Sequence, residues 1–210
     1  MPDPEIRNDP RTHWQAVYAR NAPEGVSWHA SHLTLSVDFI RRVASQEARV
    51  IDIGGGHSAL VDDLLQEKYS HLAVLDISET ALDCSRKRLG QANSLIQWLV
   101  GDALSCPLPG SHFDVWHDRA VFHFLTQPEQ RTAYVSQLSH ALKPGGHVVM
   151  ATFGPDGPMQ CSGLATCRYD PDSLAQALGS SFHLVESAID LHQTPLGTQQ
   201  QFLYCLFCCR

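Results

Sequence analysis

Apolar positions along the chain follow two alternating rhythms. Trp14, Val17 and Tyr18 share one helical face, as do Leu33, Val37, Ile40 and Ala44. A polar joint, Asn21-Ala22-Pro23-Glu24-Gly25, separates these two N-terminal helices. Short apolar runs then alternate with amphipathic stretches. Runs at 49–53, 71–76, 96–100, 113–117 and 147–153 read as buried strands. Between them, Leu60, Val61, Leu64 and Leu65 mark one helix, and Tyr134, Leu138 and Leu142 mark another that opens at Pro128 and ends at Lys143-Pro144-Gly145-Gly146. Ser78 reads as the N-cap of a helix with Glu79 in its first turn. Strands alternating with helices predict parallel β-α-β units, with helices on both faces of one sheet.

The C-terminal part breaks the rhythm. Asp170-Pro171 caps a short helix ending at Gly179, and strands follow near 182–192 and 200–209. Too little chain separates them for a crossover helix, so this pair must be antiparallel. The predicted fold is α/β: a Rossmann-like, seven-stranded, mostly parallel sheet with a C-terminal antiparallel hairpin, in three α/β/α layers.

Composition narrows the class. The chain has 210 residues, 43% hydrophobic and 18% charged, which excludes a largely disordered protein and suits one domain. Its formal net charge of −7 offers no basic footprint for nucleic acid. The longest apolar stretch, 202–209, is far short of the roughly 20 residues a spanning helix needs. The N-terminus lacks a basic region followed by an apolar one, so no secretory signal is read. Residues 1–10, with three prolines and four charges, read as a loose arm. Seven cysteines, an odd count with no framework spacing, read as reduced thiols, and a cytoplasmic location is expected. Cys205 and Cys208 belong to one strand and point to opposite faces, which argues against a metal site; none is expected elsewhere.

The chemistry gathers at strand ends. Asp52-Ile53-Gly54-Gly55-Gly56-His57-Ser58-Ala59 follows the first core strand. Glycines there let the backbone turn tightly against a ligand, and Asp76 lies 20 residues beyond Gly56. By itself this fits either a nicotinamide dinucleotide or S-adenosylmethionine. Three features separate the two. Asp52 would repel a pyrophosphate but can face an ammonium; Asp102 ends the third strand, placed to accept from an adenine amino group; and the sheet finishes in a hairpin. Asp52, Asp76 and Asp102 fall at the carboxyl ends of successive strands, where ligands bind in open α/β sheets.

Over about residues 48–209 the chain resembles the class I S-adenosylmethionine-dependent methyltransferases, most strongly at 50–56, 74–78, 101–103 and 142–146. The resemblance implies Asp52, Gly54, Gly55 and Gly56 near the methionine part of the cofactor, Asp76 with Ile77 at the ribose, and Asp102 with Ala103 at the adenine. Residues 48–210 are expected to form the core, and 1–47 an arm and helices closing over the cofactor. Ser58 stands where many members carry a third glycine.

In that fold Trp116-His117-Asp118-Arg119-Ala120-Val121-Phe122-His123-Phe124 faces the reacting methyl. Arg119 could hold a carboxylate of cofactor or substrate. His117 is placed against the cofactor, and His117, Asp118 or His123 could take a proton from the acceptor, with Asp118 and His123 the favoured catalytic pair. Asp118-Arg119-Ala120 followed by Arg131 and Tyr134 is similar to a motif of the thiopurine, thiol and halide methyltransferase group. Trp14, Tyr18 and Trp28-His29 are similar to that group's aromatic segment over the cofactor. Residues 154–167, long and without periodicity, are expected to wall the acceptor pocket; Cys161 and Cys167 are expected to pack this loop, with contact to a soft substrate or metalloid as the alternative. The expected partner is a small-molecule acceptor, a thiol or other chalcogen compound in preference, with neither nucleic acid nor membrane. A protein substrate, as for a protein-lysine methyltransferase, is the second reading. A nicotinamide-dependent oxidoreductase and a non-catalytic cofactor-binding module are the others.

Overall fold

The computed structural model describes residues 9–210, so the arm expected over 1–10 lies outside the described residues except for its last two. Five strands run parallel: β1 (Arg49–Ile53), β2 (His71–Asp76), β3 (Ile96–Val100), β4 (Phe113–Arg119) and β5 (Leu142–Phe153). Two more, β8 (Phe182–Gln193) and β9 (Gln199–Cys209), complete one seven-stranded sheet in the order β3-β2-β1-β4-β5-β9-β8. Strand β9 is antiparallel to both its neighbours, and the short 194–198 connection requires this of its pairing with β8.

Alternation along the strands builds two cores. Val50, Leu72, Val74, Val115 and Val149 face one side, against α2 (Thr34–Val43) and α3 (Leu60–Gln66). Ile51, Ala73, Leu75, Trp116 and Val148 face the other, against α5 (Pro128–Ala141) and α6 (Pro171–Leu178). Residues in successive positions thus serve opposite layers, which is why these strands are apolar throughout rather than alternating with polar residues. The fold is the Rossmann-like α/β/α arrangement expected.

Local signals end the elements. Ser78 accepts from the Ala81 N–H at 3.2 Å and caps α4 (Glu79–Leu89). Asp9 caps α1 (Pro10–Arg20), which buries none of its residues fully. That helix docks on the β2–α4 turn through side chains: Gln15 Oε1 accepts from the Ser78 hydroxyl at 2.8 Å and the Thr80 N–H at 3.2 Å.

The structure differs from the sequence reading in several places; strand β4, for one, runs on to Arg119. Strand β5 begins at Leu142, so the Lys143-Pro144-Gly145-Gly146 segment already belongs to the sheet. Leu142 pairs with Phe113, and Lys143 Nζ reaches Asp114 at 2.6 Å. The stretch after β5 also holds a miniature hairpin, β6 (Gln160–Cys161) and β7 (Leu164–Ala165). Its two-residue turn, Ser162-Gly163, has φ of 51° and 78°, the mirror-image turn that suits a tight hairpin.

Candidate active site

Strands β1 to β4 end along one edge, and a cavity of about 540 Å³ opens there. Gly54, Asp76, Ile77, Asp102 and Ala103 contribute one wall, and Arg119 and His123 another. Trp14, Tyr18 and Trp28 from the N-terminal segment complete it with Phe124. These four rings form a cluster, with Trp14 centred 5.9 Å from Trp28 and 5.1 Å from Phe124. Leu164 and Ala165 place the β6–β7 hairpin on the wall, together with Cys161. Cys167 packs instead against the core below.

The glycine loop is tight for a steric reason. Gly54 has φ +68°, and a Cβ there would sit 2.2 Å from the Val121 side chain. At Gly56 a Cβ would meet Ala81 at 2.4 Å and the Asp76 carboxylate at 2.7 Å. That closeness lets Asp76 Oδ2 accept from the Gly56 N–H at 2.9 Å while Oδ1 accepts from the Ser78 N–H at 2.7 Å. Asp76 therefore ties the first loop to the second before any ligand arrives. Burial pushes its pKa up to about 6, against the restraint of those backbone bonds. Asp102 is likewise turned onto its own loop, where Oδ1 accepts from the Leu104 N–H at 2.8 Å.

Asp52 has a different setting. It is buried, and Oδ1 accepts from His117 Nδ1 at 2.7 Å. His117 Nε2 in turn meets the Ser36 hydroxyl of α2 at 2.9 Å. Serine, histidine and aspartate in series suggest a nucleophile, but all three are sealed in the protein, and Ser36 and His117 are completely buried. Here the series aims a carboxylate. Asp52 Oδ2 is left buried with no partner. Asp52 lines a small recess of about 30 Å³ with His29, His57 and Arg119, adjoining the main cavity through residues common to both, Tyr18, Trp28 and Gly54 among them. An unpartnered buried carboxylate oxygen in such a recess fits an ammonium group. His117 itself is not on the main cavity wall, contrary to the expectation that it meets the cofactor; its contact on that side is with Asp52.

Sequence reasoning gave no role to Ser36, although it is a polar residue set among the apolar positions of α2. It also passed over His57, which packs 4.5 Å from Tyr18 with Nδ1 unpartnered and is lowered to about 4 by burial.

The expectation that Asp118 takes a proton from a substrate requires correction. Asp118 is completely buried and does not line the cavity. Oδ1 accepts from the Val121 N–H at 2.9 Å, and Oδ2 accepts from the Phe122 N–H at 3.1 Å and from the Tyr134 hydroxyl. Tyr134 also accepts from Trp116 Nε1 at 2.9 Å. Asp118 is thus the anchor of the turn at 119–122. That turn holds Ala120 at φ +75°, a strained setting for a residue with a side chain. Arg131, which shares the motif, donates to the Leu125 carbonyl at 2.8 Å, so the motif residues converge on this turn from behind.

What the turn presents is Arg119 and His123. Arg119 Nε donates to the Tyr204 hydroxyl at 3.1 Å, Nη1 donates to the Trp28 carbonyl at 2.8 Å, and the guanidinium lies over the Phe202 ring at 4.5 Å. It joins β4 to the N-terminal segment and to β9 while bordering both cavities. His123 is completely buried. Its Nδ1 accepts from the Phe153 N–H at 3.1 Å, and its Nε2 has no partner. Burial, with the Arg119 charge adding to it, lowers its pKa to about 3. A histidine whose Nδ1 lone pair is already taken and whose charged form is this disfavoured does not serve as a base, so the second half of the expected pair is corrected too. An unpaired buried N–H of this kind costs about 1–3 kcal/mol.

Among the described residues no helix is long and apolar enough to cross a membrane, and no cluster of three or more histidine, cysteine or acidic residues could hold a metal ion. A family model described as a methyltransferase domain matches residues 50–146. A ubiquinone/menaquinone biosynthesis C-methyltransferase of Roseobacter denitrificans is 29% identical over 129 residues, 59% of this chain and 50% of that protein. A malonyl-[acyl-carrier protein] O-methyltransferase of Paenibacillus sp. is 25% identical over 71% of this chain and 57% of its own length. An eEF1A lysine and N-terminal methyltransferase of Mus musculus is 23% identical over 84% of this chain and 22% of its own. The chain thus spans about half the length of the first two. Among solved structures, an S-adenosylmethionine-dependent methyltransferase from Anabaena variabilis superposes with a TM-score of 0.75 at 16% identity, covering 96% of each chain. The Burkholderia thailandensis 1,6-didemethyltoxoflavin-N1-methyltransferase, solved with that substrate and S-adenosylhomocysteine, superposes with a TM-score of 0.74 at 17% identity, covering 95% of this chain and 86% of that one. These likenesses carry the fold.

Proposed function

We propose that this chain, which carries a methyltransferase domain at residues 50–146 on the class I methyltransferase fold, uses S-adenosylmethionine to methylate a small molecule, in preference a thiol or another chalcogen nucleophile. One observation carries the reading. Asp52 and Asp76 end adjacent strands and Asp102 follows the end of the next, all bordering cavity, with Asp52 Oδ2 held unpartnered beside it. Asp52 suits the ammonium of the cofactor's amino-acid tail, Asp76 its ribose hydroxyls, and Asp102 with Ala103 its adenine. Trp14, Tyr18 and Trp28 close over it from the segment before residue 48. The bound cofactor supplies a methyl carbon already activated by a positive sulfur.

The protein's own task is then to position the acceptor and keep water out, which can account for roughly 7–11 kcal/mol of a barrier. The cavity volume supports a small acceptor. One drug-sized ligand fills a pocket of about 300–1,000 Å³, and here about 540 Å³ has to hold cofactor and acceptor together. A chalcogen acceptor is favoured because residues 119–165 place no free base on the wall. Asp118 is committed to its turn, and His123 Nδ1 to Phe153. A thiol ionises without help at mildly alkaline pH, whereas a lysine or an alcohol needs its proton removed. The mouse relative's match over most of this chain supports protein methylation as the second reading.

The test is incubation with methyl-labelled S-adenosylmethionine and either a panel of thiols or lysine-bearing protein. Label in a thiol fraction supports the reading. Label in protein alone moves the acceptor to the second reading, and calorimetry showing no affinity for S-adenosylmethionine ends both.

A further inference from the structure

We propose that His123 is a fixed hydrogen-bond donor for the methyl acceptor, and that it selects an apolar molecule carrying one ionised chalcogen atom, a thiolate in the first instance, received at Nε2–H. The inference rests on the methyltransferase reading and deepens it. The ring can present only one face chemically. The Phe153 N–H donates to Nδ1 at 3.1 Å, so the hydrogen of the neutral ring sits on Nε2. The ring cannot turn to exchange the two nitrogens without giving up that bond. It lies stacked on Phe153 with centroids 4.2 Å apart, has Phe124 against it at 4.5 Å, and its own carbonyl accepts from the Cys167 N–H at 2.7 Å. The one group left unsatisfied by all this is Nε2–H, on a residue in the wall of the cavity.

The surrounding wall says what kind of molecule would satisfy it. Val121, Phe124, Leu125, Phe153 and Leu164 border the same space. A molecule that buries hydrocarbon against these residues and offers one acceptor atom to Nε2–H leaves nothing unpaired. An anion gains most, because a hydrogen bond to a charged atom is roughly twice as strong as a neutral one. Arg119, the charged residue nearest in effect to His123, is positive and favours the same species.

The balance of the reaction agrees. The acceptor's own electron pair forms the bond to the methyl carbon as the carbon–sulfur bond breaks and leaves its pair on sulfur. One negative and one positive charge cancel, and no proton moves, so a donor that cannot act as a base is no handicap. An acceptor still carrying its proton would have to lose it to some other group, and His123 Nε2–H would then face a hydrogen rather than a lone pair.

Two measurements on the intact protein decide the matter. Long-range proton–nitrogen NMR on nitrogen-labelled protein reads the His123 tautomer directly, with the signal assigned by its loss in His123→Gln. A neutral ring protonated at Nε2 at pH 7 is expected; a proton on Nδ1, or a charged ring, overturns the proposal. In the second, calorimetry with S-adenosylhomocysteine at saturation compares para-nitrobenzenethiol, ionised at pH 8, with its neutral S-methyl ether. The wild type is expected to prefer the thiolate by about tenfold or more. His123→Phe should bring the two probes within about twofold, and His123→Gln, which keeps a donor, should retain most of the preference. An undiminished preference in His123→Phe overturns the role of His123 alone. Failure of S-adenosylhomocysteine to bind the wild type overturns the methyltransferase reading, and this inference with it.

Discussion

Tyr134→Phe removes one oxygen that no ligand touches, and so tests whether Asp118 is an anchor. The hydroxyl donates to Asp118 Oδ2 and accepts from Trp116 Nε1, and all three residues are completely buried. A bond to a charged group is worth about 1.5–3 kcal/mol, and an orphaned buried N–H costs about 1–3 kcal/mol. The two do not simply add, because a buried acid can take up a proton when its donor is lost. Asp118 is already raised to about 6 by burial, held down in part by the tyrosine. Without that donor it rises further, and some of the cost is relieved. A net loss of about 2–4 kcal/mol is expected near neutrality, or about 4–16 °C in melting temperature for a chain of this size.

The sign with pH is the sharper part. A native acid raised above its unfolded value binds its proton more tightly than the unfolded chain does. Its contribution is therefore favourable below the unfolded value near 3.8 and is lost as pH climbs through the folded one. Tyr134→Phe extends that loss to higher pH. The gap between variant and wild type should be smaller at pH 5, where the acid is protonated in both, and full at pH 8. Urea unfolding at the two pH values measures this. A difference below about 1 kcal/mol at pH 8, or one of equal size at both, would refute the anchor role.

Four further outcomes follow from the structure. Asp76→Ala should weaken S-adenosylmethionine binding by more than about tenfold, through the lost carboxylate and the loosened Gly56 and Ser78 amides; an unchanged dissociation constant by calorimetry would leave Asp76 only as a loop tie. Because burial raises Asp76 to about 6, the wild type's affinity should increase as pH rises through that value and the carboxylate forms, then level off, and Asp76→Asn should flatten the curve. Ser36→Ala should cost about 1 kcal/mol in stability by urea titration and weaken cofactor binding several-fold, since it frees His117 and with it Asp52; full affinity would sever that chain of contacts. At Ala120, with φ +75°, a glycine should be neutral within about 1 kcal/mol, because relief of strain is offset by a more flexible unfolded chain, whereas valine should cost about 1–3 kcal/mol.

The elements that carry the fold were legible because each apolar run is bounded by something unambiguous. Gly54-Gly55-Gly56 ends β1, the Ser78 cap follows β2, and Pro195-Leu196-Gly197 leaves no room for a crossover. The acids at three successive strand ends could be placed from spacing alone, since every parallel strand in such a sheet points its carboxyl end the same way. The miniature hairpin escaped because two-residue strands have no period; its signal was the Ser162-Gly163 pair, a turn sequence without apolar alternation around it. Roles within the 116–124 segment were the hardest to read. A buried aspartate and a buried histidine look alike in sequence whether they face a ligand or a backbone amide. What distinguishes them here is the Tyr134 hydroxyl for one and the Phe153 N–H for the other, both brought in by the fold.

That distinction also explains how the cavity's charges divide. Asp76 and Asp102 each give an oxygen to their own loops, and Asp52 gives one to His117, so each acid is oriented before a ligand arrives. Asp52 and Asp76 lie close enough for the charge on Asp52 to raise Asp76 further. A cation placed among them relieves both the repulsion and the unpaired Oδ2, a gain that a neutral ligand of the same shape cannot match. Arg119 borders both the main cavity and the recess of Asp52, and among the described residues that line the main cavity His123 holds a buried nitrogen without a partner.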